Sequence, residues 1–576
     1  MCRSSNLQTN PRNGTRNVPT TNMTGIEAFL DILAAAGVTH LFGNPGTTEL
    51  PLNAALADDD RFQYIFGVQE IPIVSMADGY AMASGRVGVV NVHISCGLGN
   101  AMGMLYNAHI EGTPLLITAG HQDRRLRLGE PVLEADIVRV ASPWTKWSYN
   151  VERVEDVPTA TRRAIQIALT PPTGPVFLSL PVDLQMQRAR GRLDLSPPHV
   201  PDRRIRPPRA ALEAAAAILA SAKNPVILAG SRVTESNGVE ELVAVAERLG
   251  APVFSEATPS HGRLPMPPEH SLYRGNLRNW SHETHKTLAE FDVALAVGLN
   301  VLRLYVYSEP ERPLPEHLRL IHLDNVPYEI GKNYPPEVGL LGDPKCGLAE
   351  LDELFAKAGL PTDAARQRVS TYAARRAEEQ RKLLGEIEAQ FAARPITPLV
   401  FMHALSRVLP ANVAVVEEAI TTHQNVFERL GTLKDPRAFF AHRGWALGWG
   451  LGCALGVKLA WPDRPVLGLI GDGASLYGIQ ALWSAAHHEI PVTFVIANNS
   501  QYKILKVCGD VMDLPRLRDP DCPGMNINQP TVDYVGLARA FGVDAHRITE
   551  PDELSDCVRE SWSRDKPLLL EVPITE

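Results

Sequence analysis

The sequence predicts an α/β protein of three domains, each with a central parallel sheet flanked by helices. Three observations carry this reading. Short apolar runs of strand length alternate with helix-length segments, the pattern of strands joined through crossover helices and buried on both faces. Two stretches, residues 187–209 and 361–396, interrupt that alternation and divide the chain into blocks of similar size. The 576 residues, 45% hydrophobic and 21% charged, suffice for several cores and are too apolar for bulk disorder.

In chain order, residues 1–22 are polar, lack the apolar core of a secretory signal and read as a disordered extension. The first domain spans 23–186. It opens on T-G-I-E, a capping box with Thr24 as N-cap and Glu27 three residues on. Ile26, Phe29, Leu30 and Leu33 form one apolar helical face, and Gly37 ends the helix. Strands are expected at 38–42, 64–68, 87–94, 115–119 and 176–180. Residues 187–209 carry PPHVPDRRIRPPR and read as a linker. The central domain, 210–360, has expected strands at 226–229, 252–255, 293–297 and 318–323. The charged stretch 364–393 reads as a solvated helix within a connection over 361–396. The third domain, 397–576, has expected strands at 413–416, 466–470, 493–497 and 568–572. No short internal repeat is visible.

The net charge of −9, with no basic block, argues against nucleic acid or an acidic membrane surface as partner. No apolar run reaches the roughly 18 residues of a membrane span. Seven scattered cysteines without a C-x-x-C fit reduced thiols in a cytoplasm, not a disulfide framework or zinc site.

The most specific motif is Gly471-Asp472-Gly473 after the run 466–470, joined to Asn498-Asn499 after 493–497. Parallel neighbours bring both strand ends to one edge of the sheet, where such sheets bind ligands. Asp472 and Asn499 then offer a carboxylate and an amide oxygen, hard ligands suited to Mg²⁺ and shared with phosphates. Gly473 lets backbone N–H groups approach a diphosphate at the following helix. The glycine motif alone is a common strand-end turn; with the asparagine pair it resembles the signature of thiamine-diphosphate enzymes. That resemblance implies a metal held by the Asp472 and Asn499 side chains and the Gln501 main-chain carbonyl.

Thiamine chemistry also needs a preorganised carboxylate against the cofactor's pyrimidine, and Glu70, expected at a helix start after the strand 64–68, fits that need. A glutamate in a first helical turn also has an ordinary dipole reading. His93, at the expected end of the strand 87–94, is either structural or catalytic. Gly97, Gly99 and Gly103 imitate a nucleotide fingerprint with the wrong spacing and read as a decoy that allows close approach.

Together GNPGTTELP, VQE…ADGYA, NVHISCGLGNAMG, KWSYN and ALWSAA are similar to the thiamine-diphosphate-dependent 2-oxo acid decarboxylase/acetolactate synthase family. The benzoylformate decarboxylases match in most motifs, over nearly the whole chain from Thr24. The resemblance implies the three-domain decarboxylase fold, with a pyrimidine-binding first domain and a diphosphate- and Mg-binding third domain. It implies Glu70 as cofactor activator, His93 as active-site histidine and Thr47 as a pocket hydroxyl. Leu447 falls on the residue that wedges the cofactor into its bent shape. Gly471, Asp472, Gly473, Ala474, Asn499, Tyr502 and Thr421 fall on further cofactor positions, and Leu505 on an aliphatic one. Tyr305 stands where a second histidine is usual, and with a reference pKa of about 10 it is a far weaker acid.

The implied reaction is non-oxidative decarboxylation of a benzoylformate-like 2-oxo acid to an aldehyde through an enamine, with thiamine diphosphate and Mg²⁺ as cofactors. The implied assembly is a homodimer within a homotetramer. A carboligase of the acetolactate or acyloin synthase type is the alternative, with a flavin-dependent oxidase and a degenerate regulatory homologue behind it.

Overall fold

The computed structural model describes residues 22–202, 204–256 and 262–575. The expected extension therefore lies, apart from Asn22, outside the described residues. The capping box forms as read: the Glu27 amide donates to Thr24 Oγ1 and the Thr24 amide to Glu27 Oε2, opening the helix Gly25–Ala35.

Three six-stranded parallel sheets follow. The first contains β1 (His40–Gly43), β2 (Gln63–Phe66), β3 (Gly88–Val92), β4 (Leu115–His121), β5 (Ser148–Asn150) and β6 (Val176–Pro181), in the order β2-β1-β3-β4-β6-β5. The second contains β7 (Pro225–Ala229), β8 (Val253–Ser255), β9 (Tyr273–Asn276), β10 (Val293–Val297), β11 (Arg319–Asp324) and β12 (Val338–Leu341), in the order β12-β11-β10-β7-β8-β9. The third contains β13 (Ala414–Glu418), β14 (Phe439–Phe440), β15 (Val466–Gly471), β16 (Thr493–Asn498), β17 (Asp544–Arg547) and β18 (Leu568–Pro573), in the order β14-β13-β15-β16-β18-β17. The first and third orders are the same permutation.

The central order is that of a dinucleotide-binding sheet, whose ligand crevice opens between β7 and β10. Here side chains crowd that crevice. A Cβ at Gly230 would collide with the Glu256 carboxylate and the Gly298 carbonyl, and Arg232 is paired with Asp324 at 2.8 Å.

Two features join the domains. One apolar core runs from the central domain into the third, and another from the first into the third. The helices Glu70–Ser84 and Trp449–Ala460 cross with backbones nearly touching: a Cβ on Gly452 would lie 2.7 Å from the Pro72 carbonyl, and one on Gly456 would collide with the Met76 carbonyl. Buried Arg263 adds a tie, donating to the main-chain carbonyls of Met82, Arg437 and Phe439 while stacking 4.3 Å over Phe440. The stretch 187–209 is not free of the first domain, since Ala189 and Leu193 are buried in its core. Most of 364–393 forms the helix Asp363–Gln390, largely exposed, with Ala365, Leu383 and Ile387 buried. The six cysteines among the described residues are free, and no described helix is long and apolar enough to cross a membrane.

Candidate active site

The third sheet builds the first half of the site. Strand pairing sets Gly471 opposite Ala497, so Asp472 and the asparagine pair leave the sheet side by side. Asp472 opens a short helix; its Oδ1 accepts from the Gly473 amide at 2.8 Å and its Oδ2 from the Ser500 amide at 2.5 Å. Burial pushes the Asp472 carboxyl up to about 6, against the pull of the surrounding backbone N–H groups. Asn499 Oδ1 accepts from the Gln501 amide at 3.2 Å, whereas Asn498 Nδ2 donates to Glu571 at 2.8 Å and so braces the sheet. Thr421, Leu447, Gly471, Asp472, Gly473, Ala474, Asn499, Gln501 and Tyr502 all line one groove, whose walls come entirely from this domain. A Cβ on Gly473 would lie 2.6 Å from the Tyr502 ring, so glycine keeps the backbone open there. A groove that brings together a carboxylate residue, an asparagine and Gln501 beside a helix start has the oxygen donors that suit a magnesium diphosphate.

Leu447 is positioned from both sides. The Glu418 carboxylate, at the end of β13, accepts from the amides of Gly448 (3.0 Å), Trp449 (3.2 Å) and Gly450 (2.8 Å). Asn107 of the first domain clamps Ala446, donating to its carbonyl at 2.8 Å and accepting from its amide at 3.0 Å.

The first sheet supplies a second cluster. Glu70 is the first residue of its helix and is buried; its two oxygens accept from Asn44 Nδ2 at 3.1 Å and Asn100 Nδ2 at 3.0 Å. His93 was expected at a strand end, but β3 stops at Val92 and His93 is the N-cap residue of the helix Ile94–Glu111. The apolar run continues into that helix, which is why sequence alone extended the strand. His93 Nδ1 meets Glu49 Oε2 at 2.7 Å. Buried Glu49 is itself held by the Gly120 amide at 2.7 Å and the Thr48 hydroxyl at 2.9 Å. The hydroxyl nearest His93 is that of Thr48, at 3.4 Å, while the expected Thr47 is exposed beside it. Gly97 separates Glu70 and His93: a Cβ there would lie 2.9 Å from Glu70 Oε1 and 3.3 Å from His93 Cβ. The glycines 97, 99 and 103 lie inside the helix, not in a phosphate-binding turn.

Tyr305 belongs to neither cluster. It is 48% exposed, and its ring meets Trp445 edge-on at 4.5 Å. Burial, then the nearby Cys508, raises its phenol above the ordinary value. Trp445 holds a left-handed φ of 65°, and its indole N–H is buried without a partner. Leu505 is partly exposed.

Sequence reasoning missed Glu49, Asn44, Asn100, Asn107, Glu418 and Trp445. The first three sit inside the motifs already quoted, but only Asn44 directly follows a strand; Glu49 caps the next helix and Asn100 lies within one. Asn107 and Glu418 gain their meaning only from contacts over long sequence separations.

Comparison with known proteins gives a consistent picture. Models of the thiamine pyrophosphate enzyme N-terminal TPP binding domain, central domain and C-terminal TPP binding domain match residues 23–140, 212–351 and 419–572. A benzoylformate decarboxylase of Pseudomonas aeruginosa is 33% identical, over 95% of this chain and 98% of its own. A probable acetolactate synthase large subunit of Methanocaldococcus jannaschii is 29% identical, over 96% and 92%. Among solved structures, the thiamine diphosphate-dependent 4-hydroxybenzoylformate decarboxylase of Rhodococcus jostii RHA1 superposes with a TM-score of 0.84 at 30% identity, covering 96% of this chain and 99% of that one.

Proposed function

We propose, from the premise that the chain belongs to the thiamine pyrophosphate enzyme family, that it decarboxylates a 2-oxo acid of the benzoylformate kind to an aldehyde with thiamine diphosphate and Mg²⁺. The observation that carries this is the conjunction of two prepared halves. One is a groove with Asp472 and Asn499 at its floor; the other is a buried Glu70 held by two amide donors.

The chain's own residues divide the work. Asp472, Asn499 and the Gln501 carbonyl would hold the metal, and the helix start at Gly473 the diphosphate. Leu447, fixed by Glu418 and Asn107, would set the shape of the bound cofactor. Glu70, with its carboxyl plane fixed, would hydrogen-bond the pyrimidine ring. Thiamine diphosphate, when bound, supplies the electron sink that lets the carboxyl group leave as carbon dioxide. His93 donates Nδ1–H to Glu49, which leaves Nε2 free to move a proton in the site. Such positioned proton transfer is worth about 10²–10⁴ in rate. Glu70 and the groove would complete one site across two copies of the chain, a homodimer within a tetramer.

One observation favours the ligase alternative. A phenol raised above its usual value, as at Tyr305, is a poor proton donor at neutral pH. A product that waits for its proton is open to a second carbonyl compound. The deciding experiment offers a panel of aryl and alkyl 2-oxo acids and measures carbon dioxide, aldehyde and acyloin together. Carbon dioxide matched by aldehyde supports the decarboxylase; carbon dioxide matched by acyloin or acetolactate replaces it with a ligase.

A further inference from the structure

We propose that the cavity between β9, the helix Asp363–Gln390 and the short helix Val426–Leu430 binds a small dianion, a phosphomonoester or a dicarboxylate. The cavity measures about 440 Å³ and lies where the central domain, the connecting helix and the third domain meet. Its residues are separate from those of the diphosphate groove and from the crowded crevice between β7 and β10.

Five cationic side chains line it, Arg274, Arg278, Arg376, Lys382 and Arg429, against the carboxylates of Glu379, Glu386 and Glu428. Two of the five are committed. Arg274 grips Glu379, with one guanidinium nitrogen 2.6 Å from each carboxylate oxygen. Arg376 donates to the main-chain carbonyls of Tyr273 at 3.1 Å and Glu428 at 2.9 Å. Two of the acids are also committed, Glu379 to Arg274 and Arg375, and Glu428 to His423 at 3.2 Å. The remaining cations, Arg278, Lys382 and Arg429, are exposed and form no ion pair or hydrogen bond among the described residues. Burial holds the Arg429 guanidinium below its ordinary value; Glu386 offsets this in part, and the neighbouring Arg278 adds to the lowering.

On a flat surface three such side chains would spread into solvent. Around a concavity the field is focused and an anion gains from all of them at once. Guanidinium forks match the planar oxygen pairs of carboxylates and phosphates. The floor adds a second feature. Gln424 and Asn425 hold consecutive left-handed φ values of 44° and 53°. Asparagine tolerates that region, but glutamine adopts it only at a cost, so Gln424 marks strain retained at a site. Thr421 and Thr422, immediately upstream, line the diphosphate groove. An occupant of the cavity therefore bears on the loop that leads into the groove.

The test uses the full-length protein saturated with thiamine diphosphate and Mg²⁺, so that a phosphate cannot enter the groove. It is titrated calorimetrically with inorganic phosphate and, separately, with succinate. Saturable binding of one or both is expected; tighter phosphate identifies a phosphomonoester site and tighter succinate a dicarboxylate site. Arg278→Ala combined with Arg429→Ala should weaken binding at least about tenfold, while Arg278→Lys combined with Arg429→Lys should lose far less. Both side chains are exposed, so circular dichroism should show all variants folded. Heats without saturation for both anions, or an affinity unchanged in the alanine variant, overturn the proposal. The readout is binding, so it stands or falls apart from the decarboxylase reading.

Discussion

At His93 the imidazole is tied through Nδ1 to Glu49, and Glu49 is tied to the Gly120 amide and the Thr48 hydroxyl. A carboxylate held this way fixes both the tautomer and the direction of Nε2. Glu49→Gln keeps the size of the side chain but removes the charge that stabilises an imidazolium. It should leave the fold and cofactor affinity intact and lower kcat by about 10–10²-fold. An unchanged kcat in a folded, cofactor-loaded variant would show that Glu49 does not act through His93. Glu70→Gln tests the other carboxylate. The amide retains the bulk but turns an Nε2 donor toward the Nδ2 of Asn44 or Asn100, which already donates. We expect a folded protein that binds thiamine diphosphate yet exchanges its C2 proton at least about 10²-fold more slowly by NMR. Tyr305→His replaces a phenol that burial raises above its ordinary value with an imidazole, whose reference value is about 6.5, and should raise the aldehyde-to-acyloin ratio on one 2-oxo acid. An unchanged ratio in a cofactor-loaded variant would remove Tyr305 from the protonation step. Glu70 and His93 were readable as candidates because strand-end motifs exposed them. Glu49 was not, because its role depends on a β4 amide 71 residues away.

At the scale of elements, the buried interior strands were legible and the sheet margins, β2 apart, were not. β5, β9, β12, β14 and β17 were not anticipated, and each is the end strand of its sheet. An edge strand is covered on fewer sides and need not be an apolar run; β17, for example, buries only Ala545 of its four residues. The crossing of Glu70–Ser84 with Trp449–Ala460 was equally invisible, because glycines read as helix weaknesses until a partner backbone explains them. That crossing buries Asp78, whose Oδ2 accepts from Trp449 Nε1 at 2.6 Å. Burial raises its carboxyl from 3.8 to about 6. Between those values the folded chain keeps a proton that the unfolded chain has released. The associated stability is therefore fully present below pH 3.8 and is lost as pH rises through about 6. An ionised Asp78 then costs on the order of 2–3 kcal/mol. Asp78→Asn retains an acceptor for the indole and cannot ionise. Its denaturant midpoint should exceed wild type at pH 7.5 and converge with it near pH 4; a constant difference across that range would exclude Asp78 as the titrating group.

For the whole molecule, the shared strand order of the first and third sheets makes the two halves of the candidate site topological counterparts. Helices that follow corresponding strands, β2 and β14, begin at Glu70 and Trp449 and cross each other. The groove beside Asp472 takes every wall from the third domain, and both of its carboxylates are committed, Asp472 to the Gly473 and Ser500 amides and Glu418 to the amides of Gly448, Trp449 and Gly450. Glu70 faces Asn44 and Asn100 of its own domain. The strand end before it, Phe66, is bound to Ser484 within the third domain's helix Ala481–His487 and to His488, which caps that helix. On the proposed reading, a site made of Glu70 from one copy and Asp472 from another would resolve this division, and closed dimers are the commonest assembly of identical chains. The consequence can be measured without a structure of the assembly. Glu70→Ala and Asp472→Ala chains should each be inactive, the second because it loses Mg²⁺-dependent cofactor binding by calorimetry. Mixed and allowed to exchange, they should form hybrid dimers in which one site carries both lesions and the other carries neither. Random pairing makes half of the dimers hybrid, so about a quarter of wild-type activity should return. Subunit exchange, followed by native mass spectrometry of two tags, must accompany the assay. Exchange without recovered activity would place Glu70 and Asp472 of a single chain in the same site.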